Sequence, residues 1–81
     1  MGFGTKLREY RERYGMNQAT LARRVGITPE HLNRIEHEIV SPPKMATIAR
    51  IIEELRLSSE DVAELLAVIL AEAKEQEGID A

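Results

Sequence analysis

Four consecutive residues, Gly26-Ile27-Thr28-Pro29, constrain the fold of this chain more than any others. Glycine tolerates the positive φ that ends a helix. Thr followed by Pro starts one: the hydroxyl caps, and proline at the first helical position gives up an N–H that has no partner there. A helix end and a helix start this close together predict two short helices meeting at a tight turn, Gln18–Val25 and Pro29–His37. Ala22 is small where the helices must approach, Leu21 and Val25 face inward with it, and Ile27 and Ile35 wedge the pair onto a core. The spacing fits a helix-turn-helix, whose second helix enters a DNA major groove. It fits a plain αα-hairpin in a small bundle as well.

The same kind of punctuation divides the rest of the chain. Phe3, Leu7, Tyr10 and Tyr14 recur at +4, +3 and +4 and predict a first helix ending at Gly15; Asn17 is the N-cap of the second. Leu32, Ile35 and Ile39 form the buried stripe of the third. Ser41-Pro42-Pro43 breaks the chain and opens a fourth helix with Met45, Ile48, Ile52 and Leu55 inward. Ser58 caps a fifth, with Glu60 and Asp61 in its first turn where carboxylates favour the helix dipole. It runs to about Gln76 and leaves a frayed tail, Glu77–Ala81. Period-two alternation is absent, so the expected class is all-α with five helices. Eighty-one residues hold one domain. Within it we expect a DNA-reading core over residues 1–57 and a C-terminal helix over residues 58–76.

Several chemistries are excluded or disfavoured. Without cysteine there is no disulfide, thiolate zinc site or thiol nucleophile. The two histidines, His31 and His37, stand about 240° apart around a helix, with no carboxylate motif beside them. No metal, cofactor or catalytic site is expected, and the chain reads as a non-enzyme. Three aromatics confined to the first helix are too few for a base-stacking surface on single strands. The longest apolar run, Leu65–Ala71, is far below the ~20 residues that span a bilayer, and the charged first fifteen residues do not read as a secretory signal. The expectation is a cytoplasmic, nucleoid-associated protein without membrane contact.

A net charge of −3 argues against a general polyanion binder. Its distribution reverses that argument. Residues 1–50 carry nine cations against five acids; residues 51–81 carry two against nine. Such asymmetry suggests a basic working face and an acidic remainder, although solvated helix surfaces on both halves would give the same count.

Leu7-Arg8, Arg11-Glu12, Gly15-Met16-Asn17-Gln18, Leu21-Ala22, Val25-Gly26-Ile27-Thr28, Leu32 and Ile35-Glu36 keep a spacing that resembles the phage lambda repressor/Cro-like (Xre-type) helix-turn-helix family. The resemblance continues through Pro43, Met45 and Thr47-Ile48 to Leu55, about two-thirds of the chain. It implies a five-helix DNA-binding domain, a dimer on a palindromic operator and a role in transcriptional regulation, most simply repression. The family commonly has glycine where this chain has Glu38, and the loop before Pro43 is one residue longer here. Both changes fall where relatives approach the DNA backbone, so phosphate contacts from this loop are in doubt; Glu38 would repel phosphates if it faced them.

Carried over residue by residue, the resemblance implies that Gln18 contacts a phosphate and orients recognition side chains. Thr28, Pro29, Glu30, His31, Asn33, Arg34 and His37 would face the groove, and all of these but Pro29 are candidate base contacts. Asn33 could pair with adenine N6/N7, Arg34 with guanine O6/N7 or a phosphate, and Glu30 with cytosine N4. Arg8, Arg13, Arg23, Arg24 and Lys44 are candidate phosphate contacts. Arg11 and Glu36 would form the family's ion pair between the first and third helices. On the fifth helix Val62, Leu65, Leu66, Ile69 and Leu70, with three alanines, span roughly 200°, against about 100° for a helix that covers only its own core. The surplus suggests a homodimer interface. Two other readings stay open: an antitoxin that represses and also binds a second protein through the acidic fifth helix, or an interaction module that has lost DNA binding.

Overall fold

Local caps set the element boundaries. In the computed structural model, which describes residues 2–77, five helices follow in order: α1 (Phe3–Arg13), α2 (Gln18–Val25), α3 (Pro29–Glu36), α4 (Met45–Leu55) and α5 (Ser59–Glu77). No strand occurs among the described residues. Asn17 Oδ1 accepts the Thr20 N–H at 2.8 Å, Thr28 Oγ1 the His31 N–H at 3.1 Å, and Ser58 Oγ the Asp61 N–H at 3.1 Å. Each satisfies a first-turn donor that the helix itself cannot. Gly26 closes α2 with φ +81°, a conformation unfavourable to any side chain with a Cβ. Helix α5 reaches Glu77, one residue beyond the expected end; the rest of the expected tail lies outside the described residues.

The helices pack α1 on α3 and α5, and α2 on α3 and α4. Their shared core is Phe3, Leu7 and Tyr10 from α1, Leu21, Ala22 and Val25 from α2, Leu32 and Ile35 from α3, Ile48, Ile51 and Leu55 from α4, and Leu65 from α5. Gly4 lets α1 lie against the end of α3: a Cβ there would sit 2.0 Å from the Ile35 carbonyl oxygen.

Four expectations need correction. Tyr14 is exposed, because α1 has ended at Arg13 and the chain turns away. Ile39 is 69% exposed, because α3 ends at Glu36 and the chain reverses at Glu38 (φ +59°), so the α3 stripe does not extend to it. Met45, in the first turn of α4, is exposed, and Ile51 takes its expected place inside, where α4 meets α2. Leu65, expected at a dimer interface, is fully buried in this chain's own core.

The last correction has a visible cause. Asp61, Glu64, Leu65, Val68 and Glu72 follow helical spacing and form the face of α5 turned to α1. Glu64 accepts the Tyr10 hydroxyl proton and lies 3.1 Å from Lys6 Nζ. Asp61 accepts from the Tyr14 hydroxyl at 2.9 Å and from Arg13 at 3.3 Å. Glu72 accepts the Phe3 N–H at 2.6 Å. Three of the acids that make the C-terminal half so negative therefore hold α5 onto α1. These partners hold the Glu64 carboxyl, through Tyr10 and then Lys6, and the Asp61 carboxyl, through Tyr14, below their ordinary range. Burial and Glu64 push the Tyr10 phenol up.

Candidate nucleic-acid interface

Helix α3 buries Leu32, Ile35 and Glu36 and exposes Pro29, Glu30, His31, Asn33, Arg34 and His37, together with its cap Thr28. Every side chain expected to face a groove is thus exposed on this one short helix and its caps. Thr28 keeps its hydroxyl proton available, because its oxygen acts only as acceptor in the cap. His37 Nδ1 lies 2.9 Å from the Asn33 carbonyl oxygen. A carbonyl can only accept, so Nδ1 carries the hydrogen and Nε2 points away from that contact.

A buried ion pair anchors the back of α3. Arg11 Nε and Nη2 reach the two Glu36 carboxylate oxygens at 2.6 and 2.9 Å, and Arg11 Nη1 donates to the Met16 carbonyl at 2.9 Å. The side chains are 12% and 1% exposed. The forked geometry fixes α1, the α1–α2 turn and α3 in one arrangement. It raises the Arg11 pKa further. Gln18, the first residue of α2, donates from Nε2 to Glu36 Oε1 at 3.1 Å and to Asn33 Oδ1 at 3.2 Å. The start of α2, the ion pair and one side chain on the exposed face of α3 therefore form a single network.

Glu38 is the residue whose role the sequence did not disclose. It occupies the left-handed position after α3, where the family resemblance leads to an expectation of glycine, and its carboxylate turns to α1. It accepts the N–H groups of Gly2 at 2.9 Å and Thr5 at 3.1 Å, and the Thr5 hydroxyl. These bonds, Thr5's first, hold its carboxyl below the ordinary range. Its charge serves as the cap that α1 lacks from its own N-cap residue, Gly2.

The candidate phosphate-binding cations divide into two groups. Arg8 pairs with Glu12 at 3.3 Å, Arg13 with Asp61 while stacking over the Tyr10 ring at 5.2 Å, and Arg24 with Glu54 at 3.6 Å. Arg13 is thereby held against α5 rather than α2 and α3. Arg23, Arg34 and Lys44 have no acidic partner within 4 Å among the described residues, and neither does Arg50. Arg50 lines a cleft with Lys44, Gly26, Ile27 and Thr47, where α4 meets the turn between α2 and α3. Sequence reasoning passed over Arg50 because nothing local ties α4 to that turn.

No group of three or more His, Asp or Glu side chains that could hold a metal occurs among the described residues. No helix among them is long and apolar enough to cross a membrane.

A family model described as helix-turn-helix matches residues 7–67. Two curated relatives, both the HTH-type transcriptional regulator RamB, come from Mycobacterium tuberculosis strains CDC 1551 / Oshkosh and ATCC 25618 / H37Rv. Each is 42% identical over 50 residues, which is 62% of this chain and 10% of the relative. The chain thus spans about a tenth of the length of the curated relatives it matches. No solved structure matches it.

Proposed function

Given that the chain belongs to the lambda repressor/Cro-like helix-turn-helix family of DNA-binding transcriptional regulators, we propose that it binds a palindromic operator as a homodimer and represses transcription, with α3 in the major groove. The observation that carries this reading is the division of α3 into a buried face locked by the Arg11–Glu36 pair and an exposed face bearing Glu30, His31, Asn33 and Arg34. Residues 1–57 are the reading unit and residues 58–76 the assembly element. Arg23, Arg34, Lys44 and Arg50 are the cations best placed for phosphates, since no acid among the described residues neutralises them. Helix α5 supports assembly, because among its described side chains only Leu65 belongs to the fully buried core while Leu66 and Leu70 remain exposed. Of the expected interface residues, Val62, Leu66, Ile69 and Leu70 remain candidates without the buried Leu65, and in a two-fold dimer they would meet the same residues of the second copy.

Fluorescence anisotropy with duplexes from the chain's own upstream region tests the reading. Specific binding should exceed binding to random duplex by about 10³-fold or more, and log K should fall with log salt in proportion to the phosphates neutralised. Equal binding to random DNA at ~100 mM salt overturns it.

A further inference from the structure

We infer that the buried ion pair sets which base Asn33 reads: a guanine, by donation from the Asn33 amide, and not an adenine. This rests on the DNA-reading role proposed above. The argument follows the direction of the hydrogen bonds. Arg11 can only donate, and it holds both oxygens of the Glu36 carboxylate, which can only accept. Glu36 Oε1 must therefore receive a hydrogen from Gln18, and this fixes the Gln18 side chain with its NH2 toward α3. That same NH2 meets Asn33 at 3.2 Å, so Asn33 must turn its oxygen to Gln18. What remains to lead outward from α3 is the Asn33 NH2, two donors with no partner among the described residues. Each amide could otherwise flip, but a flipped Gln18 would set its oxygen against the Glu36 and Asn33 oxygens, and a flipped Asn33 would set its NH2 against that of Gln18. The polarity of a buried salt bridge is thus relayed through two amides to the surface of the recognition helix.

In the major groove a guanine presents two acceptors, N7 and O6, whereas adenine presents N7 beside the N6 donor and needs an outward oxygen as well. An asparagine free to turn would favour adenine. One whose oxygen is held by Gln18 favours guanine. Gln18 is accordingly a positioning residue for specificity, and Asn33 the residue that reads.

Selection of bound duplexes from a random pool, run with the unmodified chain, Asn33→Ala, Asn33→Asp and Gln18→Ala, tests this, with circular dichroism confirming that each variant is folded. Asn33→Ala identifies the dependent position as the one whose preference it erases. There the unmodified chain should favour G·C over A·T by about 5- to 100-fold. Asn33→Asp, which has no donor, should move that strand position from guanine to cytosine or adenine. Gln18→Ala frees the amide and should bring guanine and adenine to within about threefold of each other, a fraction of the discrimination one base contact supplies. A·T at the dependent position in the unmodified chain, no position altered by Asn33→Ala, guanine retained by Asn33→Asp, or an undiminished guanine preference in folded Gln18→Ala each overturns the inference while leaving DNA reading intact. A pool that yields no enriched sequence with the unmodified chain overturns the DNA-reading role, and the inference with it.

Discussion

Removing either member of the Arg11–Glu36 pair should damage the fold far more than removing both. Glu36 is 1% exposed on its side chain and accepts three hydrogen bonds, two from Arg11 and one from Gln18. In Arg11→Met the carboxylate keeps only the Gln18 bond and stays enclosed by α1, α2 and α3. Stranding one partner of such a pair costs about 3–5 kcal/mol. An 81-residue domain has about 4–12 kcal/mol in all, so the single variant should sit near the edge of folding, with its melting point down by more than ~10 °C. Glu36→Met strands Arg11 less severely, because the guanidinium is 12% exposed and retains the Met16 carbonyl, so the expected cost is nearer 2–3 kcal/mol. The double variant Arg11→Met/Glu36→Met removes both desolvation penalties and fills the space with apolar atoms. Its stability should return to within about 1–2 kcal/mol of the unmodified chain. Urea unfolding of all four proteins, followed by circular dichroism at low temperature, closes the cycle; a coupling of about 2 kcal/mol or more is expected. Specific DNA affinity should remain low in the double variant even where stability is regained, since Gln18 has lost the acceptor that orients it. Additive single costs, or full affinity in the double variant, would refute the reasoning.

Three further outcomes follow from named contacts. Gly4→Ala should cost about 3 kcal/mol or more by urea unfolding, because its Cβ meets the Ile35 backbone carbonyl at 2.0 Å and α1 must move off α3; a loss under ~0.5 kcal/mol would show that the helices separate freely. Glu38→Ala loses the α1 cap yet keeps the strained φ and should cost about 1 kcal/mol, whereas Glu38→Gly loses the cap and relieves the strain and should lie within about 0.5 kcal/mol of the unmodified chain; equal destabilisation of both variants would refute the account. The carboxyls of Glu38, Asp61 and Glu64 are held below their ordinary values of 4.5, 3.8 and 4.5, so their contribution is present above about 4.5 and is lost as pH falls through the lowered values; melting points measured from pH 7 to 3 should be flat and then drop, and a rise on acidification contradicts the assignment.

What the sequence disclosed of this molecule was local. Asn17, Thr28-Pro29 and Ser58 act within three residues of themselves, and their helices begin where they dictate. Inner faces were harder to assign. In α4 both Met45 and Ile51 lie at helical spacing from Ile48, and only the position of α2 decides between them. On α5 the apolar arc was legible, but the edge facing α1 was not, because that edge is marked by acids whose partners lie 47 to 69 residues away. Glu38 shows the limit best. As a departure from glycine it read as a liability near phosphate; its contacts with Gly2 and Thr5, 36 and 33 residues distant, make it a cap.

These long-range carboxylates also change what the net charge means for DNA binding. Counted by halves of the chain, the acids form a negative region that would push a polyanion away. Counted by contact, Asp61, Glu64 and Glu72 face α1 and serve its side chains and first N–H groups, Glu38 serves the same helix end, and Glu36 is neutralised by Arg11. The field that DNA would meet at α3 and the neighbouring turn is therefore set by Arg23, Arg34, Lys44 and Arg50, which have no acidic partner within 4 Å among the described residues, opposed locally by Glu30. On the proposed reading, that narrow balance should make sequence-independent attraction modest and leave discrimination to the exposed side chains of α3, among which the buried network orients Asn33. If α3 reads DNA as proposed, its eight residues must be held rigidly to do so, and the buried Arg11–Glu36 pair behind it supplies that hold.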